Sequence, residues 1–367
     1  MNTIDIEWDN YITTLTGGGE DLTETTENTQ FNKPSKPLDI IPKCSDLYIS
    51  TQTKIAYLNT PVDLNDVFWK IPIINYQDES EGIIKKQMKI NNITQEEVDD
   101  MESKINSTVN YIDVDIISKV NNASARKTKF KDVRKINIGL CKKDLMSYRI
   151  KKRGAFYNCF VLIMRVKCTN GNYKEAHIKV FNTGKLEIPG IQQNTFLDLV
   201  LKKLICVLSP YIDNLQVLHE KTETVLINSN FTSNFFIDRH ALSDILKFKY
   251  NIHVVYDPCS YPGIQCKFYF NSKNKEHIGI CNCTKRCDKS TRDKLNPKAQ
   301  CSEISFMIFR TGSVLIVGHC SEKTLKIIYN YVKHILITES LNIYIEGDAI
   351  KKNKSKRVWK KNFYVDC

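Results

Sequence analysis

The stretch V-F-N-T-G-K-L-E-I-P-G, Val180 to Gly190, decides the fold: an aromatic-ended apolar arm, a two-residue Thr-Gly turn and a second arm predict a β-hairpin. It has an echo. I-F-R-T-G-S-V-L-I-V-G, Ile308 to Gly318, repeats it without a gap 128 residues later, with Phe181/Phe309, Thr183/Thr311, Gly184/Gly312 and Gly190/Gly318 in step. Each copy is followed by an amphipathic helical run, Thr195 to Leu208 and Glu322 to Leu336. A hairpin followed by a helix, twice, marks a duplicated folding unit.

Upstream of each hairpin the pattern is again shared. Leu47 to Asn59 alternates like a strand and Asp63 to Lys70 spaces Leu64, Val67 and Phe68 like a helix. Leu226 to Phe236 and Leu242 to Phe248 match them, with Leu64/Leu242, Asp66/Asp244, Val67/Ile245 and Phe68/Leu246 in register at a separation of 178. Ala155 to Val166 reads as an apolar strand of the first copy, and Ile252 to Tyr256 and Ile264 to Phe270 as strands of the second, flanking the turn D-P-C-S-Y-P-G.

These residues resemble the TATA-box-binding protein family. Y-D-P-C-S-Y-P-G stands where that family has Y-E-P-E-L-F-P-G, and F-x-T-G where it has F-x-S-G-K. The strings A-F-Y-N-C-F and K-V-F-N-T-G-K-L-E-I-P-G are similar to the divergent members encoded by nucleocytoplasmic large DNA viruses. The resemblance implies an α+β saddle, in which two pseudo-repeats form one curved antiparallel sheet with helices on the convex face and a concave face in a DNA minor groove. Apolar wedges then unstack base steps and kink the duplex, as in the protein that serves as the standard example of such bending.

By the same resemblance the wedge positions are Phe181, Phe309, Tyr261 and a residue between Phe156 and Phe160, here taken as Phe160; filling the core is the other role open to these rings. Arg165, Lys185 and Lys267 match phosphate-contacting positions, or form a solvated rim. Asn228, Asn230, Leu315 and Val317, with Met307, line the implied reading face of the second copy. Asn donors suit adenine N3 and thymine O2, and strand or turn hydrogen bonds suit them equally. Both copies depart from the family where Pro189 and Val317 replace a threonine in each hairpin, and the first departs further: Glu187 puts an anion where an apolar contact is expected, and Lys179 replaces another. At the turn that would meet a transcription factor IIB-like protein, only Asp257 keeps the acid, and Cys259 and Ser260 occupy the other positions.

The boundaries that follow are an acidic arm over 1–41, expected to be disordered, a first repeat over 42–208 carrying an insertion at 77–153, and a linker at 209–223. A second repeat over 224–337 carries a Cys-rich insertion at 271–301, and 338–367 ends in a basic tail. The chain's net charge of +12 conceals an arm with eight Asp/Glu against two lysines, so the remainder carries +18. That suits a polyanion partner, double-stranded DNA; the same Lys-, Asn- and Ile-rich composition also follows from an A·T-rich genome. The insertion is basic between Arg126 and Arg153, and Lys351 to Lys361 holds seven Lys/Arg around Trp359. Viral RNA polymerase subunits are further partners, and a membrane is not one.

Thirteen cysteines without an N-terminal apolar run or an eighteen-residue apolar stretch predict reduced thiols, in a viral factory of the host cytoplasm or in the nucleus, with packaging into the virion open. C-N-C-T-K-R-C, then Cys301, offers Cys281, Cys283, Cys287 and Cys301 as a candidate structural zinc site or as plain reduced thiols. No Gly-rich phosphate loop, H-E-x-x-H or G-x-S-x-G is present, which argues against an enzyme. The expected function is a DNA-binding initiation factor that bends promoter DNA for viral transcription. The alternatives are a scaffold that kept the saddle without base readout and a non-specific DNA-packaging protein.

Overall fold

The computed structural model describes residues 43–146, 156–169, 171–274, 276–283, 287 and 301–346. The acidic arm, the basic tail and much of the Cys-rich insertion lie outside these residues. Those described belong to one compact unit, Leu38–Cys367.

The described residues contain fourteen strands and seven α-helices, with a 3-10 turn at His219–Lys221 and a π-turn at Ile245–Lys249 that continues the fifth helix. The first half contains β1 (Tyr48–Tyr57), α1 (Leu64–Lys70), β2 (Gly82–Asn92), α2 (Gln95–Asn106), β3 (Ile112–Asn121) and β4 (Phe130–Gly139). It continues through α3 (Lys142–Met146), β5 (Cys159–Lys167), β6 (Tyr173–Phe181), β7 (Lys185–Ile191) and α4 (Asn194–Leu208). The second half contains β8 (Glu223–Thr232), β9 (Phe236–Ile237), α5 (Arg239–Asp244), β10 (His253–Val255), β11 (Ile264–Phe270) and β12 (Ser302–Ile308). It closes with β13 (Ser313–Gly318), α6 (Glu322–Thr338), α7 (Ser340–Ile343) and β14 (Tyr344–Ile345).

Twelve of the strands form one sheet in the order β10-β11-β12-β13-β8-β1-β7-β6-β5-β2-β4-β3. Every pairing in it is antiparallel. Outward from the central β8–β1 pair the chain order is the same on both sides: last strand first, then back toward the strand after the first helix. The segment 77–153, set apart as an insertion by sequence, supplies β2 to this sheet, with Lys86 opposite Leu162 of β5. Only the β4–β3 hairpin beyond it extends the sheet past that shared order.

Cross-strand register fixes which face each side chain takes, because directly opposed residues point the same way. Gln52 on β1 is opposite Ile191 of β7, a member of the first core, and opposite Ile227 of β8, a member of the second. Both cores therefore lie on one face of the sheet. There α1, α2 and α4 bury Val67, Met101, Val200 and Leu204 against Leu162, Ile178 and Leu186. Leu242 of α5 and Leu325, Ile328 and Val332 of α6 pack against Phe268, Phe306 and Ile316. Burying an aliphatic side chain of this size stabilises the fold by roughly 1.5–3 kcal/mol, so these cores dominate its energetics.

The two hairpins are tied down in one way. Gly184 and Gly312 both hold φ +79, which an L side chain rarely adopts, and donate N–H to Phe181 O and Phe309 O at 3.0 Å each. The turns are thus three-residue loops closed by a left-handed glycine, not two-residue turns. Gly184 O accepts from Leu58 N and Gly312 O from Ser233 N; Asn182 O accepts from Val62 N and Arg310 O from Ile237 N. A Cβ at Gly184 would sit 2.5 Å from Thr60 O, and one at Gly312 would sit 2.3 Å from Phe235 O. The next residues, Asp63 and Asp238, cap α1 and α5 by accepting backbone N–H bonds in the first turn. These matched anchors set a separation of 175 residues, from Leu58 to Ser233, not 178. Val67 then corresponds to Leu242 and Ile71 to Leu246, all buried.

Candidate nucleic-acid interface

The face opposite the helices carries most of the predicted contact residues. In the second half Leu315 is opposite Asn230, Val317 opposite Asn228, and Met307 opposite Leu315, so the five make one patch. Met307, Leu315 and Val317 are 7%, 7% and 4% exposed and belong to neither helix-side core. Their neighbours hold the amides in place: Asn228 Nδ2 donates to Thr51 Oγ1 at 3.2 Å and Asn230 Nδ2 to Ser50 Oγ at 2.7 Å. Those bonds join the patch to β1 across the centre of the sheet. Each primary amide retains a second N–H and a carbonyl for other bonds.

At the strand end beside this patch, Tyr261 and Phe309 form an edge-to-face pair with centroids 6.0 Å apart. Gly263 makes room for them, since a Cβ there would lie 2.9 Å from the Tyr261 ring and 3.0 Å from Phe309. The Tyr261 hydroxyl, which would need a partner on an apolar face, donates to Met307 Sδ at 3.3 Å. Burial pushes its pKa up to about 12, so it remains a neutral donor. Lys267 projects on the same face and pairs with Glu303 at 3.2 Å.

The first half is built differently. Phe181 and Lys185 share the face, the Lys185 ammonium lying 5.8 Å from the Phe181 ring centroid. Phe160 does not join them. It is fully buried on the helix side with its ring 6.2 Å from Phe68, so it is a core residue and its assignment as a wedge is corrected. Phe156 and Tyr157, just upstream, are the exposed rings at that end.

Arg165 is likewise corrected. Its guanidinium stacks 4.8 Å from the Tyr76 ring and donates to the carbonyls of Tyr76 and Asp78, leaving the residue only 9% exposed. Those bonds hold the guanidinium against the Tyr76–Asp78 loop and turn it away from a free phosphate-facing position. Around it the chain covers its own sheet: Ile84 and Ile163 pack with Cys141, Ile74 and Tyr76 in a small third core on this face. α3 is pinned there by Lys85 to Asp144 at 2.7 Å, and Lys142 N donates to Glu175 at 3.0 Å. His177, opposite Ile163, has its pKa pulled down to about 4 by lost solvation and by Lys143, Lys85 and Lys179, against Asp144.

Sequence reading placed an anion at Glu187 and a cation at Lys179 as separate departures. They are directly opposed in the β6–β7 hairpin and form one ion pair at 2.6 Å, 18% and 14% exposed. The anion is therefore neutralised on the surface where it stands.

Cys281, Cys283, Cys287 and Cys301 come together at the β11–β12 connection, with their four Sγ atoms all within 4.8 Å of one another, a group that could hold a metal ion. None of the twelve described cysteines is in a disulfide. Among the described residues no helix is long and apolar enough to cross a membrane.

No family model matches the chain, and no curated protein matches it. Among solved structures it is similar to one described as Methanococcus jannaschii TBP, at 13% identity, covering 80% of this chain and 99% of that one with a TM-score of 0.36. An overlap so loose is silent on function.

Proposed function

We propose that this chain is a promoter-binding transcription-initiation factor of the TATA-box-binding kind, built as a duplicated saddle with its helices on the convex side. In this reading it engages the minor groove chiefly through its second half. The observation that carries this is the Met307, Leu315, Val317, Asn228 and Asn230 patch ended by the Tyr261–Phe309 pair. Apolar contacts and amide donors suit the floor of an A·T minor groove, and two rings at its edge suit insertion at a base step. The duplication draws support from the matched hairpin anchors and from Gln52, which pairs with Ile227, its counterpart 175 positions on.

The covered first half supports asymmetry. With Arg165 held by carbonyls, the phosphate contacts assigned to that side reduce to Lys185, and Lys179 is tied up by Glu187. The same covering favours a second reading, an interaction protein that kept the fold without base readout. The sequence resemblance to viral members makes a large DNA virus the setting, with a factor IIB-like protein and viral polymerase subunits as partners. A cytoplasmic viral factory or the nucleus is the place of action. No catalytic role is assigned.

Selection of bound duplexes from a random pool, with salt titration of the winners, tests this. An A·T-rich half-site and a ratio of specific to non-specific affinity of at least about 10³ supports the initiation factor. No binding leaves the interaction protein, and equal binding to all sequences leaves a packaging protein.

A further inference from the structure

The four-cysteine cluster lies outside the proposed DNA face, and its geometry is more specific than its sequence spacing. Cys283 Sγ lies 3.6 Å from Cys301 Sγ, and Cys301 Sγ lies 3.9 Å from Cys281 Sγ. A disulfide would bring two sulfurs to about 2.05 Å. Four thiolates around one zinc, with Zn–S near 2.3 Å, stand at the corners of a tetrahedron with edges of roughly 3.8 Å. These two separations straddle that edge.

We infer that Cys281, Cys283, Cys287 and Cys301 bind one zinc ion as a closed tetrathiolate site with a structural role. Cys287 and Cys301 are buried, at 6% and 4% exposure, which suits an ion shielded from solvent and ligands. No fifth donor and no open position is needed, so the ion has no catalytic vacancy. Loading replaces four S–H bonds by four S–Zn bonds and releases four protons, leaving a cluster of net charge about −2.

Both flanks of the cluster are fastened to the sheet. Cys301 leads directly into β12, and Tyr269 N of β11 donates to Gly279 O at 3.0 Å, two residues before Cys281. Gly279 holds φ +80, and a Cβ there would lie 2.9 Å from the Phe268 ring. The ion thus clasps the long β11–β12 connection at the Phe270–Ser302 end of those strands. Tyr261 and Phe309 sit at the other end, so metal binding is separable from DNA contact.

The test is metal analysis of the full-length chain purified without chelator, followed by mercurial titration of its thiols and by cobalt substitution. The expected results are about one zinc per chain, released as the cluster thiols are consumed, and tetrahedral thiolate absorption with cobalt. Cys283→Ser should lose the metal, while Cys206→Ser and Cys259→Ser, both exposed and outside the cluster, should keep it. If Cys283→Ser fails to fold, the cobalt spectrum of the unaltered chain still decides. Less than about a tenth of a zinc per chain after purification with added zinc, iron in its place, or cobalt bound without thiolate bands would overturn the assignment.

Discussion

Phe160→Ala and Phe309→Ala remove the same ring from opposite faces of one sheet, and they should fail in opposite ways. Phe160 is fully buried and touches Phe68, so truncation leaves a cavity in the first core and costs about 3–5 kcal/mol. Phe309 is half-buried, and its ring meets Tyr261 edge-to-face with centroids 6.0 Å apart. Losing an edge-to-face pair costs roughly 0.5–1.5 kcal/mol, and partial burial adds little more. At about 2–4 °C per kcal/mol, the first substitution should lower Tm by about 6–20 °C and the second by about 1–6 °C. Bending, read by energy transfer between the ends of a short A·T-rich duplex, should reverse that order. Phe309→Ala should leave the bound duplex close to straight, whereas folded Phe160→Ala should bend it as the unaltered chain does. Equal losses of stability would place Phe309 in a core after all, and unchanged bending by Phe309→Ala would refute its role as a wedge.

Three further outcomes follow from the covered first half. His177 is neutral in the fold with a pKa of about 4, below the roughly 6.5 of an unfolded chain, so the unfolded state binds the extra proton between those values. Its contribution is fully present above pH 6.5 and drains by up to about 1.4 kcal/mol per unit toward pH 4; His177→Gln should flatten that limb of a stability-versus-pH curve. Arg165→Gln should lower stability by about 1–3 kcal/mol while leaving the slope of DNA affinity against salt unchanged, whereas Lys185→Gln should reduce that slope by about 0.9. Glu187→Thr should strand the Lys179 ammonium, lowering Tm while tightening DNA binding, and adding Lys179→Met should restore Tm and remove the gain; a Glu187→Thr chain that is equally stable would show the pair to be idle.

Much of the second half was legible because its signals are local. Alternation in β12 and β13, the glycine that closes each turn and the helical period of α6 each need only a few residues to read. The strand β2 was hidden for the opposite reason. Its sequence G-I-I-K-K-Q-M-K-I does not alternate cleanly, because a bulge between Ile83 and Lys85 shifts the register and Lys86 turns inward. There the Lys86 ammonium donates to the carbonyls of Phe68 and Ile71 at 2.8 and 2.7 Å, in the last turn and cap of α1. A lysine used as a helix cap reads, in sequence, as a solvated one. The three-residue error in aligning α1 with α5 has a similar origin: apolar spacing alone fits several helical registers, and Asp63 and Asp238 as N-caps distinguish them.

Phe160 and Arg165 could not both have faced a groove, and strand geometry alone says so. Successive side chains alternate, so residues five apart in an unbroken strand point to opposite faces. β5 is apolar on both faces, with Phe160, Leu162, Met164 and Val166 on the helix side and Val161 and Ile163 on the other, so alternation of hydropathy could not reveal the parity. Arg165 could: a charged residue in such a strand fixes the less enclosed face and assigns Phe160 to the core. What no reading of β5 could supply is the partner of that arginine, because Tyr76 and Asp78 meet it through main-chain carbonyls, which every residue owns and no sequence advertises. The loop that carries them closes one half of a sheet whose other half keeps its amides and rings in register. On the proposed reading, a duplicated frame keeps one contact surface while the same face of its other half is turned to holding the fold.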